Sequence, residues 1–298
     1  MKITIASRGS KLAVTQSEEV KARLLDYDPS MEVEIKIINT KGDMILDKPL
    51  NKIGEKGLFT KELEEQLLDG RVDLAVHSMK DMPSILPEGL MFAGTLTPSD
   101  PHDCLVFNGD YKSIDDLPLG ATIGTGSPRR KYQLLKYRPD LNIVGIRGNV
   151  QTRLKKMKEE NMQATVLACA GLKRLGMESL IGQSLSYDIM VPACSQGILA
   201  LEVKEDSWLL PILEKITDQN ATRRMELERL YLETIGGSCH VPIGAHVDFV
   251  SEGIDFYCLY GDEEGRCIER YHEVICDRIE ERIVEIALMM KDKVMKHG

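Results

Sequence analysis

Thr122-Ile-Gly-Thr-Gly-Ser-Pro-Arg-Arg130 reads as a strand running straight into a helix, and the junction between them is chemically signposted. Ser127 is a natural N-cap, and Pro128 falls at the first helical position, where a fixed φ and a missing N–H are tolerated. Arg129 and Arg130 then occupy the first helical turn, where a cation opposes the positive end of the helix dipole. That placement points to an external anion held jointly by backbone amides and guanidiniums. More blandly, both side chains simply face water.

The same grammar recurs along the chain. A strand from Ile143 to Ile146 runs into Arg147-Gly-Asn-Val-Gln-Thr-Arg153, with Asn149 as N-cap. Arg8 and Ser10 follow the first strand, and Arg174 follows the strand Thr165 to Ala170. Four strand ends therefore carry arginine. In open α/β sheets ligands bind beyond the carboxyl ends of the strands, so these side chains suit one polyanion, carboxylate or phosphate. A dinucleotide fingerprint fails, because Arg129 stands where the third glycine after Gly124 and Gly126 is needed. The glycine- and lysine-rich run Lys52 to Phe59 lacks P-loop spacing and reads as a loop, with Lys52 and Lys56 otherwise ordinary surface charges.

Short apolar runs alternate with helical patterns through the first two thirds of the chain, which predicts an α/β fold with mainly parallel sheets. Strands are expected at Lys2 to Ala6, Val33 to Ile38, Val72 to Val76, Met91 to Leu96, Cys104 to Phe107, Thr122 to Gly124 and Ile198 to Val203, besides those named above. Two prolines within Thr97-Pro-Ser-Asp-Pro101 mark a domain crossing, and Val191-Pro192 a second. After about residue 218 a helix from Thr222 to Ile235, three strands and a final helix predict a small α+β domain. In it Val241, Ile243, Ala245, Val247 and Phe249 form one strand face, and Gly261 to Gly265 form a turn.

Composition limits what such a molecule does. The 298 residues are 43% hydrophobic and 29% charged, which excludes wholesale disorder. With 38 basic against 47 acidic residues the formal net charge is −9, so nucleic acid and anionic membranes are not expected partners. No apolar stretch of about 20 residues is present to span a bilayer, Met1 to Arg8 reads directly into a strand, and the expected location is cytoplasmic. Seven cysteines without a C-x-x-C pair argue against both a disulfide framework and a structural zinc site, so no metal is expected.

Two further residues carry chemistry. Val72 to Pro83 is an apolar strand ending in His77-Ser-Met-Lys-Asp81, and Asp81 on that loop suits an N–H donor or a developing cation, with Lys80 placed for a substrate carboxylate. An Asx-turn and a surface lysine are the plainer alternative. His77 reads as a packed, hydrogen-bonded side chain. Cys239 lies in the glycine-rich turn Gly236-Gly-Ser-Cys-His-Val-Pro242, where an exposed thiol is available for covalent attachment. Cys104, Cys169, Cys258, Cys267 and Cys276 read as small buried hydrophobes. Cys194 is left open between the two.

With these residues in view, the chain resembles the porphobilinogen deaminases, also called hydroxymethylbilane synthases, from end to end. The resemblance rests on Ala6-Ser-Arg-Gly-Ser-Lys-Leu-Ala13 with Gln16, Thr40-Lys-Gly-Asp43, Lys56-Gly-Leu-Phe59, Val76-His-Ser-Met-Lys-Asp81, Arg147-Gly-Asn-Val-x-Thr-Arg153, Ala170-Gly-Leu-Lys-Arg-Leu-Gly176, Gln196-Gly197 and Cys239-x-Val-Pro-Ile-Gly244. It implies two periplasmic-binding-protein-like domains and a small C-terminal one: residues 1–97 with 197–217, residues 98–196, and residues 218–298. It implies a dipyrromethane cofactor joined through Cys239, on which four porphobilinogens condense head to tail with loss of ammonia before hydroxymethylbilane is released.

The same resemblance implies the residue roles. Asp81 would face the pyrrole N–H groups and the cation left by deamination. Ser10, Ser78, Lys80, Thr125, Ser127, Arg129, Arg130, Arg147 and Gly148 would hold the cofactor. Arg8, Ser10, Arg147, Arg153, Gly171, Arg174 and Gln196 would hold substrate, and Lys52, Lys56 and Phe59 would belong to a loop over the active site. Pro128, Gly237-Ser238 and His240 depart from the family's usual residues. A monomer is expected, and the competing assignment is a non-catalytic bilobal anion-binding protein.

Overall fold

The computed structural model describes residues 1–40, 60–83, 85–236 and 241–297. They form two compact units, Met1–Ser99 with Gly197–Arg223, and Asp100–Gln196 with Arg224–Gly298.

The first unit contains β1 (Lys2–Arg8), α1 (Lys11–Tyr27), β2 (Glu32–Ile38), α2 (Lys61–Leu68), β3 (Leu74–Ser78), β4 (Leu90–Thr95), β10 (Leu199–Lys204) and α6 (Leu210–Ile216). Its sheet runs β2-β1-β3-β10-β4. β1 pairs in parallel with β2 and β3, whereas β10 is antiparallel to both β3 and β4, so the sheet is mixed. Period-two alternation sorts β3 onto two faces. Leu74 and Val76 pack with Val20 and Leu24 of α1, and Ala75 packs with Leu63 and Leu67 of α2.

The second unit repeats the plan. β5 (Asp103–Phe107), β6 (Thr122–Gly124), α3 (Pro128–Tyr137), β7 (Asn142–Val144), α4 (Val150–Glu159), β8 (Ala164–Ala168), α5 (Cys169–Arg174) and β9 (Gln183–Ser184) build a sheet ordered β7-β6-β8-β5-β9. β6 is parallel to β7 and β8, and β5 is antiparallel to β8 and β9. Both five-stranded sheets therefore balance parallel and antiparallel pairings. In each, one internal strand, β10 in the first sheet and β5 in the second, is antiparallel to both of its neighbours.

The unit is completed by α7 (Gln219–Ile235, most of which belongs here) and an antiparallel sheet of β11 (Ile243–Val250), β12 (Gly253–Gly261) and β13 (Ile268–Ile275), followed by α8 (Ile279–His297). Ile243, Ala245 and Val247 face inward with Tyr231, Phe256, Ile283 and Met290, as alternation predicts. Phe249 does not, being 45% exposed where the β11–β12 hairpin leaves the core. This sheet packs on α3. Tyr132 Oη donates to the Glu263 carbonyl and Lys136 Nζ to that of Ile268. A Cβ on Gly244 would meet the Pro192 carbonyl oxygen at 2.5 Å and Arg129 Cδ at 3.2 Å, so only glycine admits this approach.

Cys104, Cys169, Cys194, Cys258 and Cys267 are buried, and burial pushes the Cys258 thiol up to about 12 and the Cys194 thiol upward too. Cys276 corrects the sequence expectation, because it is exposed: it follows Ile275, the inward-facing last residue of β13, and the next position turns outward. Among the described residues no helix is long and apolar enough to cross a membrane.

Candidate functional site

β1 and β3 are adjacent and parallel, so their carboxyl ends lie side by side where the sheet order reverses, the position at which α/β sheets bind ligands. Arg8 and Ser78 are the last residues of the two strands. A cleft at this place is lined by Arg8, Ser10, Gln16, Thr60, Ser78 and Asp81, among others. Ser10 caps α1, its hydroxyl accepting from the Ala13 N–H at 3.2 Å. Gln16 Nε2 donates to Ser78 Oγ at 2.8 Å. Asp81 closes a one-turn 3-10 segment, Met79–Asp81, anchored by the Met79 N–H on the Ile198 carbonyl, and its side chain is exposed. Lys80 sits in the same turn. His77 is buried and paired with Glu202 at 2.8 Å, so it is a packed histidine rather than a free base.

In the second unit β6 and β8 end side by side in the same way. Ser127 caps α3 with Pro128 at its start, as the sequence predicts, and the Thr125 hydroxyl accepts from the Ser127 N–H at 3.2 Å. Both arginines of the first turn point inward. Arg129 Nη1 donates to Asp103 Oδ2 at 2.6 Å and to the Val191 carbonyl at 2.7 Å. Arg130 donates to Asp103 Oδ1 through Nε at 3.0 Å and Nη2 at 2.7 Å, and to the Val166 carbonyl through Nη1. Gln196 Nε2 reaches the same Oδ1 at 3.1 Å. Burial pulls the Arg129 pKa down, opposed by Asp103 and assisted by Arg130. The anion that the two cations call for is thus supplied from within, by a side chain whose only sequence signal is a carboxylate at the head of the apolar run Asp103-Cys-Leu-Val-Phe.

Arg147 follows β7 half-buried, and Asn149 caps α4 with Oδ1 accepting from the Thr152 N–H at 2.9 Å. Arg153 Nε donates to the Gly148 carbonyl at 2.8 Å. Gly148 has φ +117°, and a Cβ there would lie 2.5 Å from the Thr152 methyl, so the turn presenting Arg147 requires glycine. Gly171 and Arg174 lie on α5, at the end of β8, both half-buried. Cys239, Lys52, Lys56 and Phe59 lie outside the described residues.

A hub with no sequence warning joins α7 to β11. Glu228, fully buried, accepts from Arg224 Nε at 2.7 Å, from the Val247 N–H at 3.0 Å and from the Ser195 N–H. His246 Nδ1 stands 3.4 Å from Glu228, poorly aligned for a hydrogen bond, and Nε2 is 3.0 Å from Asp248 and 2.8 Å from the Tyr187 hydroxyl. Burial lowers the His246 pKa, but Asp248 and Glu228 outweigh it and the net direction is upward.

Residues 3–210 match the family described as "Porphobilinogen deaminase, dipyromethane cofactor binding domain", and residues 222–292 match "Porphobilinogen deaminase, C-terminal domain". The chain belongs to the porphobilinogen deaminase family. It is 50% identical over 267 residues to the porphobilinogen deaminase of Clostridioides difficile (strain 630), covering 89% of each chain. It is 49% identical over 274 residues to that of Clostridium novyi (strain NT), covering 91% of each. Among solved structures it is similar to the methionine binding protein MetQ, with 11% identity, a TM-score of 0.47, and 76% of this chain and 94% of that one covered. Family membership makes porphobilinogen the substrate and dipyrromethane the cofactor of a transferase, and it disfavours the non-catalytic alternative.

Proposed function

We propose that this porphobilinogen deaminase works through Asp81, with Cys239 as the cofactor's point of attachment. The carrying observation is the convergence of Arg8, Ser10, Ser78 and Asp81 on one cleft at the switch point of the first sheet. A cation, two hydroxyls and one carboxylate suit a pyrrole, which bears acetate and propionate groups and a single N–H. The donor set therefore fits a dipyrromethane as well as the substrate. When bound, that group would supply the nucleophilic pyrrole carbon to which the first unit is joined.

The chain's own residues divide the work. Asp81 accepts the pyrrole N–H and stabilises the positive charge that develops as ammonia leaves the incoming unit. Arg8, Ser10, Ser78 and Lys80 hold carboxylates in the first unit. Thr125, Ser127, Arg129, Arg130, Arg147, Gly148, Arg153, Gly171, Arg174 and Gln196 belong to the anion-holding apparatus of the second, with Arg129 and Arg130 sharing the single carboxylate of Asp103, which leaves one positive charge over. The family resemblance assigns Lys52, Lys56 and Phe59 to the active-site loop. Residues 1–97 with 197–217, 98–196, and 218–298 are three domains of a cytoplasmic monomer.

The test is the intact mass of the purified protein. It should exceed the sequence mass by one dipyrromethane, and Cys239→Ala should fold but lose both the adduct and turnover. An adduct retained by Cys239→Ala places the attachment elsewhere.

A further inference from the structure

Beneath the cleft, on the face of the first sheet covered by α2, lies a group of ionisable side chains with no part in the roles above. In the β3–β10 register Ala200 stands opposite His77 and Glu202 opposite Ala75, so His77 and Glu202 are diagonal neighbours on one face. His77 Nε2 is 2.8 Å from Glu202 Oε2, with both side chains buried. Among the described residues the other Glu202 oxygen, Oε1, has no hydrogen-bond partner, and neither has Oε1 of Glu64, buried on α2. An ionised carboxylate oxygen only accepts, and leaving it buried without a donor is costly.

Charge counting selects one arrangement. With both glutamates ionised, the group carries a net −2 if His77 is neutral and −1 if it is protonated, and the orphaned oxygens still lack a donor. With Glu64 as the neutral acid, the group carries one negative charge fewer and Glu64 brings an O–H donor to the contact between His77 and Glu202. The local forces act in that direction. Burial pushes the Glu64 pKa up, as do the charges of Glu202 and Glu62, against the pull of the Thr60 hydroxyl and His77. Among the described residues the titratable groups acting on Glu64 are Glu202 from β10, His77 from β3 and Glu62 on α2 itself. β4 carries none, and the charges of β1 are Lys2, paired with Glu34, and Arg8, which lines the cleft.

His77 is one residue before Ser78 and four before Asp81, so whatever fixes the end of β3 fixes the turn that presents both in the cleft. We propose that Glu64, held as the neutral acid against the Glu202–His77 pair, is a positioning residue for the Asp81 turn. The three side chains fix the end of β3 and keep uncompensated negative charge out of the floor of a cleft built for polycarboxylates. This rests on the assignment of the chemical step to Asp81.

Single-turnover ammonia release, followed across pH on protein whose mass shows the cofactor loaded, tests it. Glu64→Leu removes the donor and should lower the rate about tenfold, the equivalent of one buried hydrogen bond, with KM changed less than about twofold. Glu64→Gln keeps shape and donor but does not ionise. It should recover most of that loss and move the alkaline limb of the pH profile upward. Glu202→Gln should also lower kcat rather than raise KM. Equal rates in Glu64→Leu and Glu64→Gln, or an unshifted alkaline limb, overturn the proposal. Asp81→Asn, assayed in parallel, separates the two claims. If it is slow while the Glu64 and Glu202 variants are unaffected, only the positioning role falls; if it is near normal, the Asp81 assignment falls first.

Discussion

Arg129 Nη1 lies 2.6 Å from Asp103 Oδ2, and each of the two side chains is almost wholly withdrawn from solvent. With Arg130 on the other carboxylate oxygen, one aspartate holds two guanidiniums at the start of a helix that would otherwise repel them. Removing the carboxylate leaves two buried cations with no counter-charge. Asp103→Asn should therefore cost about 3 to 5 kcal/mol of stability, read from urea unfolding. A loss below about 1 kcal/mol means water or other groups already compensate the pair.

Arg129 and Arg147 should part company on substitution. Arg129→Gln breaks a buried ion pair and should lower Tm before it affects anything else. Arg147, half-buried on a glycine-dependent turn, should leave Tm nearly unchanged as Arg147→Gln. It should instead lose a charged hydrogen bond to a carboxylate, worth about 1.5 to 3 kcal/mol, and accumulate protein carrying partly extended chains in the mass spectrum. Normal elongation in Arg147→Gln removes that residue from the anion-holding apparatus.

The contrast shows what was legible in the sequence. Ser127, Pro128 and Asn149 announce two helix starts through local chemistry alone, because a cap needs only its neighbours within three residues. Alternation likewise marks Ile243, Ala245 and Val247 as inward-facing. Asp103 is different. Its partners are 26 and 27 residues away, and nothing local distinguishes a carboxylate that will be buried between two arginines from one that begins a strand in water. Glu202 is hidden for the same reason, since His77 comes from another strand. Of the partners of Glu228 only Arg224, four residues earlier on the same helix, is close in sequence, the Ser195 and Val247 N–H groups coming from other segments. The mixed sheets follow from β10 and β5 entering their sheets in reverse, a property of the path of the chain rather than of any one strand.

His246 should make stability depend on pH. Its pKa is raised above the ordinary 6.5, because Asp248 and Glu228 together outweigh burial. A raised folded pKa gives stability that is fully present below the unfolded value and is lost as pH rises through the folded one. Tm should thus decline from about pH 6.5 upward, and His246→Gln should flatten that decline. An identical slope in the variant assigns the decline to other groups.

Asp81→Asn tests the charge rather than the contact in the cleft. Asparagine keeps nearly the same shape and still accepts a hydrogen bond through its carbonyl oxygen, but it carries no charge to set against the cation that develops as ammonia departs. Substrate binding should therefore survive better than turnover. Loss of one preorganised electrostatic partner lowers rates on the order of 100-fold to 1,000-fold, and single-turnover ammonia release should fall by that much. Asp81→Glu keeps the charge but displaces it by a methylene. It should retain more activity than Asp81→Asn if charge outweighs position, and less if the anchored Met79–Asp81 turn makes position decisive. Measuring release on protein already carrying its cofactor keeps primer assembly out of the comparison, and near-normal release by Asp81→Asn eliminates Asp81 as the stabilising group.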